Sequence, residues 1–234
     1  MTISLKDQSA VVVGASSGMG RETALALARE GMKVLACARR KEQLSALEKE
    51  GIKTRVLDAT KRADVDALFA AAGKVDLLVY CAGMNIKERA MTLLSPETWD
   101  EMIAVNLTGA FNCTKAALGP MKQAGGGLIV YISSVAANLP DAVSGAAYQA
   151  AKRGLAGLAH ATRLEERKYG IRTTLICPGL CDTDMLQKRP QPPTPEVLAQ
   201  ALKPSDVADS VVYVAKLPPR AVVTELELLA ARIQ

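Results

Sequence analysis

The chain has 234 residues, 49% of them hydrophobic and 23% charged, which suffices for one substantial core, and no stretch reads as a linker between two domains. An aromatic content of 3% and a net charge of +5 scattered along helices exclude an aromatic-lined platform or a basic block for nucleic acid. No run approaches the roughly 18 apolar residues that span a bilayer, so a cytoplasmic protein with no membrane partner is expected.

The opening MTISLKDQSA lacks the apolar core of a signal peptide. Residues 9 to 14, SAVVVG, read as a first strand, and a helix over 18 to 30 follows. Between them Gly14, Gly18 and Gly20 form a G-x-x-x-G-x-G turn. Such glycines allow a tight turn and a close phosphate, while the helix N-terminus offers unpaired N–H groups and a favourable dipole.

The second strand, 32 to 38, ends ACARRKEQ. A dinucleotide fold normally presents an acid here to hold the ribose 2′-OH, whereas an arginine accepts the 2′-phosphate of NADP. Ala38 stands where the acid belongs, followed by Arg39, Arg40 and Lys41. A guanidinium holds a phosphate bidentately where a carboxylate repels it. NADP(H) is therefore the expected cofactor, with NAD(H) as the alternative.

A helix over 41 to 50, a strand over 53 to 58, a helix over 61 to 72 and a strand over 75 to 83 come next. Ser95-Pro96 starts a long helix to 122, because proline suits the first turn and serine caps nearby amides. The strand 127 to 134 carries Ser133 and Ser134 at its carboxyl end, where an open parallel sheet forms its ligand crevice. A helix over 145 to 168 sets Tyr148 and Lys152 one turn apart on one face. A phenol titrates near 10, and an adjacent ammonium stabilises the phenolate, so the pair can exchange a proton with an alcohol or a carbonyl.

After a strand over 172 to 179, four prolines within 188 to 196 argue for an extended loop, and the segment 184 to 203 is expected to cross the cleft as a lid. A helix over 204 to 216 and a strand over 223 to 229 complete the chain. Short β-branched runs alternating with helical stretches predict an α/β doubly wound, Rossmann-type parallel sheet of about seven strands with helices on both faces, a single domain over 1 to 234.

Cys37, Cys81, Cys113, Cys177 and Cys181 are an odd set lying mostly in apolar runs, which fits a reducing cytoplasm. With one histidine and no second cysteine pair no metal is expected. That histidine, His160, lies three turns from Tyr148 without a partner in sequence and reads as a surface or packing residue. Met84, Asn85, Leu139, Val143, Met185 and Leu186 flank the motif-bearing strand ends, where either cleft lining or ordinary packing explains them. Lys188 and Arg189 suit an anionic substrate or a solvated loop.

Taken in order, these motifs resemble the short-chain dehydrogenase/reductase family in its compact single-domain form, from about residue 8 to about residue 216. The resemblance rests on Gly14-x-x-x-Gly18-x-Gly20, Asp58, Ala82-Gly83, Asn106, Ser134, Tyr148-x-x-x-Lys152, and Pro178-Gly179 followed by Thr183. It implies an oxidoreductase that interconverts a carbonyl and a secondary alcohol on a small or medium organic substrate. Tyr148 would be the general acid/base and Ser134, rather than Ser133, would steady the substrate oxygen. Lys152 would bind the nicotinamide ribose, and Asn106 would hold a water in a proton relay. Cofactor contacts would come from Ser16, Ser17 and Met19 within the glycine turn, from Arg39 and Arg40, from Asp58 and Ala59 near adenine, and from Ala82 and Gly83. Pro178, Gly179, Cys181 and Thr183 would sit near the carboxamide. A homodimer or homotetramer is implied, which the alanine-rich faces of 96 to 122 and 145 to 168 would allow.

Four departures stand out. Val13 replaces a usual threonine, and Cys81 replaces the asparagine that commonly begins the N-A-G turn. Ser134 lies fourteen residues before Tyr148, one more than is common, and no glycine pair closes the chain.

Overall fold

A computed structural model describes residues 2–233. Seven strands, β1 (Ser9–Val13), β2 (Lys33–Ala38), β3 (Lys53–Val56), β4 (Leu77–Tyr80), β5 (Gly127–Ile132), β6 (Ile171–Pro178) and β7 (Glu225–Leu228), form one sheet in the order β3-β2-β1-β4-β5-β6-β7. Every pairing is parallel. The doubly wound α/β sheet expected from the sequence is the one observed. The strand order reverses between β1 and β4, which opens a crevice above the carboxyl ends of both.

Successive strand residues point to opposite faces, and each face carries its own core. Ala10 and Val12 of β1 face Ala24 and Leu27 of α1 (Gly18–Arg29) and Val207, Val211 and Val214 of α8 (Pro204–Ala215). Val11 and Val13 face the other way. There Tyr80 and Ile129 meet Phe69 of α3 (Arg62–Ala72), Cys113 and Ala117 of α5 (Gly109–Gln123), and Leu155 and Ala159 of α6 (Ala146–Glu166). Small residues let these helices approach closely: a Cβ added at Gly154 would lie 2.6 Å from Leu107 Cδ2. The amphipathic α2 (Lys41–Lys49) buries Leu44 and Leu47 on the first face.

Two elements differ from the expected ones. The long helix is two helices, α4 (Pro96–Ile103) and α5, joined by a π-helical turn over Ala104–Thr108. Ser95 caps α4 by accepting from the Thr98 amide at 3.2 Å. The proline-rich stretch is not extended throughout. A 3₁₀ turn covers Asp184–Lys188, and α7 (Pro195–Gln200) follows, with Pro195 at its first position and Thr194 accepting from the Val197 amide. Proline lacks the N–H that a helix start leaves unpaired anyway, so it can open a helix as readily as break one.

All five cysteines are free. Burial pushes the Cys37, Cys81, Cys177 and Cys181 thiols up to about 12, so they act as small neutral core groups. His160 is exposed. Among the described residues no cluster of His, Cys, Asp and Glu could hold a metal ion, and no helix is long and apolar enough to cross a membrane.

Candidate active site

The glycine turn lies in the crevice between the tips of β1 and β4. Gly14 has φ +90°, and a Cβ there would lie 2.4 Å from the Ala82 amide nitrogen; one at Gly20 would lie 2.2 Å from the Gly14 carbonyl oxygen. Ser17 occupies the N-cap of α1, yet its side chain makes no capping bond. Its hydroxyl instead accepts from Arg40 Nη2 at 2.7 Å, and the Ser16 hydroxyl accepts from Arg40 Nη2 at 2.8 Å and Nε at 3.2 Å. The first amides of α1 are thereby left open toward the crevice beside a guanidinium, an arrangement that suits phosphate.

A cavity of about 350 Å³ starts there. It is lined by Gly14, Ser16, Ser17, Gly18, Met19, Gly20, Arg39 and Arg40 at one end, by Asp58 and Ala59 beside them, and by Ala82, Gly83, Met84 and Asn85 farther along. Burial tends to raise the Asp58 carboxyl. Hydrogen bonds from the Thr60 hydroxyl and amide, with the charges of Arg39 and Lys61, outweigh that and hold it below its ordinary value. A close-approach glycine turn, an open helix end and an ionised acid beside two arginines fit a phosphate-bearing dinucleotide cofactor.

A second cavity, of about 110 Å³, adjoins the first; Met19, Asn85, Thr183 and Met185 line both. Ser134, Tyr148, Pro178, Gly179 and Cys181 line the second. Ser133 spends its hydroxyl on the Lys152 carbonyl at 3.3 Å, whereas Ser134 caps the 3₁₀ turn Val135–Ala137 from the cavity wall. The one-residue-longer loop before Tyr148 is fastened by Gln149, whose amide donates to the Asp141 carbonyl and accepts from its N–H. Leu139 and Val143 are exposed and absent from both linings, while Leu186 lines the second cavity and Met84 the first.

Asn106 and Lys152 stand behind the cavity walls. Asn106, wholly buried in the π turn, donates to the Met84 and Met102 carbonyls and accepts from the Met84 amide. It thus holds the end of the 81–84 turn, where Cys81 supplies no side-chain amide. Its side chain is committed to protein groups, so the backbone is what it leaves for a relay. π segments frequently mark functional sites, because they release backbone groups from the regular ladder.

Lys152 Nζ lies 5.5 Å from the Tyr148 ring centroid and donates to the Ile132 carbonyl at 2.9 Å. Burial raises the Tyr148 phenol above its ordinary value; the Ser134 hydroxyl and the charges of Arg189 and Arg89 oppose this, and Asp141 adds to it. The nearby Lys152 ammonium is itself strongly affected by burial. The residue is only 4% exposed, and burial pulls its ammonium down to about 8.

A fall from 10.5 to about 8 corresponds to roughly 3 kcal/mol of destabilisation while the ammonium is charged in both states. That penalty is full below pH 8 and fades as pH rises toward 10.5, because the folded protein sheds the proton first. Lys152→Met is therefore expected to be more stable than the wild type at pH 7 by up to about 3 kcal/mol, less whatever is lost at the Ile132 carbonyl. The gap should narrow by pH 10. Urea unfolding at both pH values checks this, and a gap that ignores pH rejects the buried ammonium.

Sequence reasoning passed over Arg89, which is 6% exposed and lines the second cavity. Its side chain donates to the carbonyls of Ile86, Val143 (3.4 Å) and Lys188 (2.5 Å). Nothing in the local pattern IKERAM separates this arginine from the exposed charges beside it, since two of its three partners lie 54 and 99 residues away.

A profile of the short chain dehydrogenase family matches residues 8–193. An uncharacterized oxidoreductase of Staphylococcus haemolyticus is 32% identical over 95% of this chain and 96% of its own. A variant of actinorhodin polyketide ketoreductase, solved with NADPH, superposes with a TM-score of 0.85 at 30% identity, covering 98% of both chains. Serine dehydrogenase complexed with NADP+ superposes with a TM-score of 0.87 at 29% identity, covering 94% of both.

Proposed function

We propose, for a chain that belongs to the short chain dehydrogenase family and is an oxidoreductase, that it interconverts a carbonyl and a secondary alcohol on a small organic substrate with NADP(H), Tyr148 acting as general acid/base. The observation that carries this reading is the opening of the Tyr148 and Ser134 cavity onto the cleft of the glycine turn. NADPH-bound and NADP+-bound relatives support the cofactor.

The cofactor, when bound, supplies the hydride. The glycine turn and the open amides of α1 would receive its pyrophosphate, Arg39 and Arg40 its 2′-phosphate, Asp58 and Ala59 its adenine end, and Thr183 its carboxamide. Ser134 would donate to the substrate oxygen. Tyr148, whose phenol is kept protonated by burial, would give that oxygen a proton. Lys152 would bind the ribose, and Asn106 acts as a positioning residue through Met84. The segment 184–203 would serve as the lid; both ends of it are fixed, by the Cys181–Leu202 bridge and the Lys203–Asp182 ion pair at 2.9 Å. Pairing through the small-residue faces of α5 and α6 would give the homo-oligomer.

NADPH oxidation against a panel of ketones, aldehydes and quinones, with NADH alongside, tests the activity. Failure of every carbonyl with both cofactors rejects it. For the phosphate assignment, Arg39→Ala is expected to raise the Kd for NADPH by about tenfold or more and that for NADH by less than about twofold, as befits one charge-assisted contact. Fluorescence titration measures both, and equal weakening rejects the role.

A further inference from the structure

The small cavity holds an excess of positive charge that the reaction just proposed does not use. Arg89 and Arg189 both line it, and both act electrostatically on Tyr148. They also lie close enough that the Arg189 charge, together with burial, pulls the Arg89 guanidinium below its ordinary value. Two like charges at one buried wall repel, and an anion placed between them relieves that cost.

The protein supplies little such relief. Among the described residues neither arginine has a salt bridge. Among the described residues the only acid lining the cavity is Asp141, whose charge partly offsets that of Arg189 at Arg89. Its oxygens accept from the Val143 amide at 2.8 Å and from the Ser144 hydroxyl, which turns it toward its own loop. The balance is two cations to one anion. Arg89 spends three donors on backbone carbonyls, and a guanidinium has five. Those bonds fix its position and leave one N–H on each Nη unspent. Arg189, half-buried at the end of the 184–188 turn, has no side-chain hydrogen bond among the described residues.

We propose that Arg89 and Arg189 bind a carboxylate of the substrate, so that the protein acts on short oxo acids and the corresponding hydroxy acids, with the reacting carbon between this anchor and Tyr148. This rests on the carbonyl reduction proposed above. In that step the carbonyl carbon gains a hydride and its oxygen gains the Tyr148 proton. The nicotinamide ends oxidised, the phenolate recovers a proton from solvent, and the carboxylate is unchanged. A cavity of about 110 Å³ has room for the few heavy atoms of a short oxo acid between Arg189 and Tyr148. A bidentate arginine–carboxylate contact also fixes orientation, and therefore which face of the carbonyl meets the hydride.

Two measurements test the proposal. The first is calorimetric binding of butanoate and butanamide to the NADP+-loaded protein, which requires no turnover. Butanoate is expected to bind at least about tenfold more tightly, as for a charge-assisted contact. Arg189→Met should remove that preference and Arg189→Lys restore part of it. The second compares kcat/KM for 2-oxo and 3-oxo acids of three to six carbons with their methyl esters. At least one acid should exceed its ester by about tenfold or more, mainly through KM, and Arg189→Met should shrink that ratio. Arg89→Met removes three loop contacts and can fail to fold, so the partly exposed Arg189 carries the test. Equal binding of butanoate and butanamide overturns the proposal, as does equal use of acids and esters. If ketones are reduced without any preference for acids, carbonyl reduction stands and the carboxylate site falls. If butanoate binds through Arg189 and no carbonyl compound is reduced, the anion site stands and the reductase reading falls.

Discussion

Tyr148→Phe is expected to lower the rate of NADPH-dependent carbonyl reduction by about 10²–10⁴-fold, the range that a positioned general acid contributes, while NADPH affinity changes by less than about twofold. The change removes one oxygen and leaves the ring, so the cavity wall it shares with Ser134 and Gly179 is preserved. The substrate oxygen must then draw its proton from water, and the phenol that burial holds in its protonated form is gone. Single-turnover oxidation of bound NADPH measures the chemical step, and fluorescence titration measures the affinity. A variant that turns over at the wild-type rate excludes the phenol as proton donor. Parallel collapse of turnover and cofactor binding assigns Tyr148 to binding instead.

Gly14→Ala is expected to destabilise the fold by about 3 kcal/mol or more, since left-handed strain and overlap with neighbouring atoms each cost roughly 1–3 kcal/mol. Gly14 sits at φ +90°, and the added methyl would meet the Ala82 nitrogen at 2.4 Å and its Cα at 2.7 Å. These are backbone atoms just beyond the end of β4, which cannot rotate away as a side chain would. Gly14 also donates to the Cys37 carbonyl at 2.8 Å, so any shift is passed to the end of β2. Gly157→Ala is the contrast: it lies exposed within α6 with nothing within 4 Å of the added Cβ, and it should stabilise by about 0.5–1 kcal/mol. Urea unfolding of both variants checks the pair. A Gly14→Ala protein with an unchanged midpoint contradicts the close approach of β1 and β4.

The parallel sheet was legible because most strands are short apolar runs with β-branched residues, bounded by stretches of helical period, and seven runs were read in the right places. The glycine turn and the Tyr148–Lys152 pair were visible as spacing within single elements, whereas Ser134 was preferred to Ser133 only through the family resemblance. The π turn was not, because an apolar pattern of period 3.6 continues on either side of one extra residue. The helix at Pro195–Gln200 was hidden by prolines that read equally well as a loop. Arg89 was invisible for a different reason. Its burial depends on carbonyls from Val143 and Lys188, and local charge patterning contains no trace of partners so distant. The Tyr148 environment shows the same limit in electrostatic form, since two arginines from separate loops act on the phenol.

The wide turn at Ala104–Thr108 amounts to an α-helix carrying one surplus residue, and each residue of helix turns the chain by about 100°. Deleting a single residue there would mend the hydrogen-bond ladder while rotating α4 by that angle against α5. Backbone regularity and the Asn106 clasp on Met84 are thus in opposition: the shortened chain would gain a straighter rod and lose the orientation that aims the amide. Length variation in this stretch is consequently a route by which the same scaffold could be kept while the turn leading to Met84 loses its support.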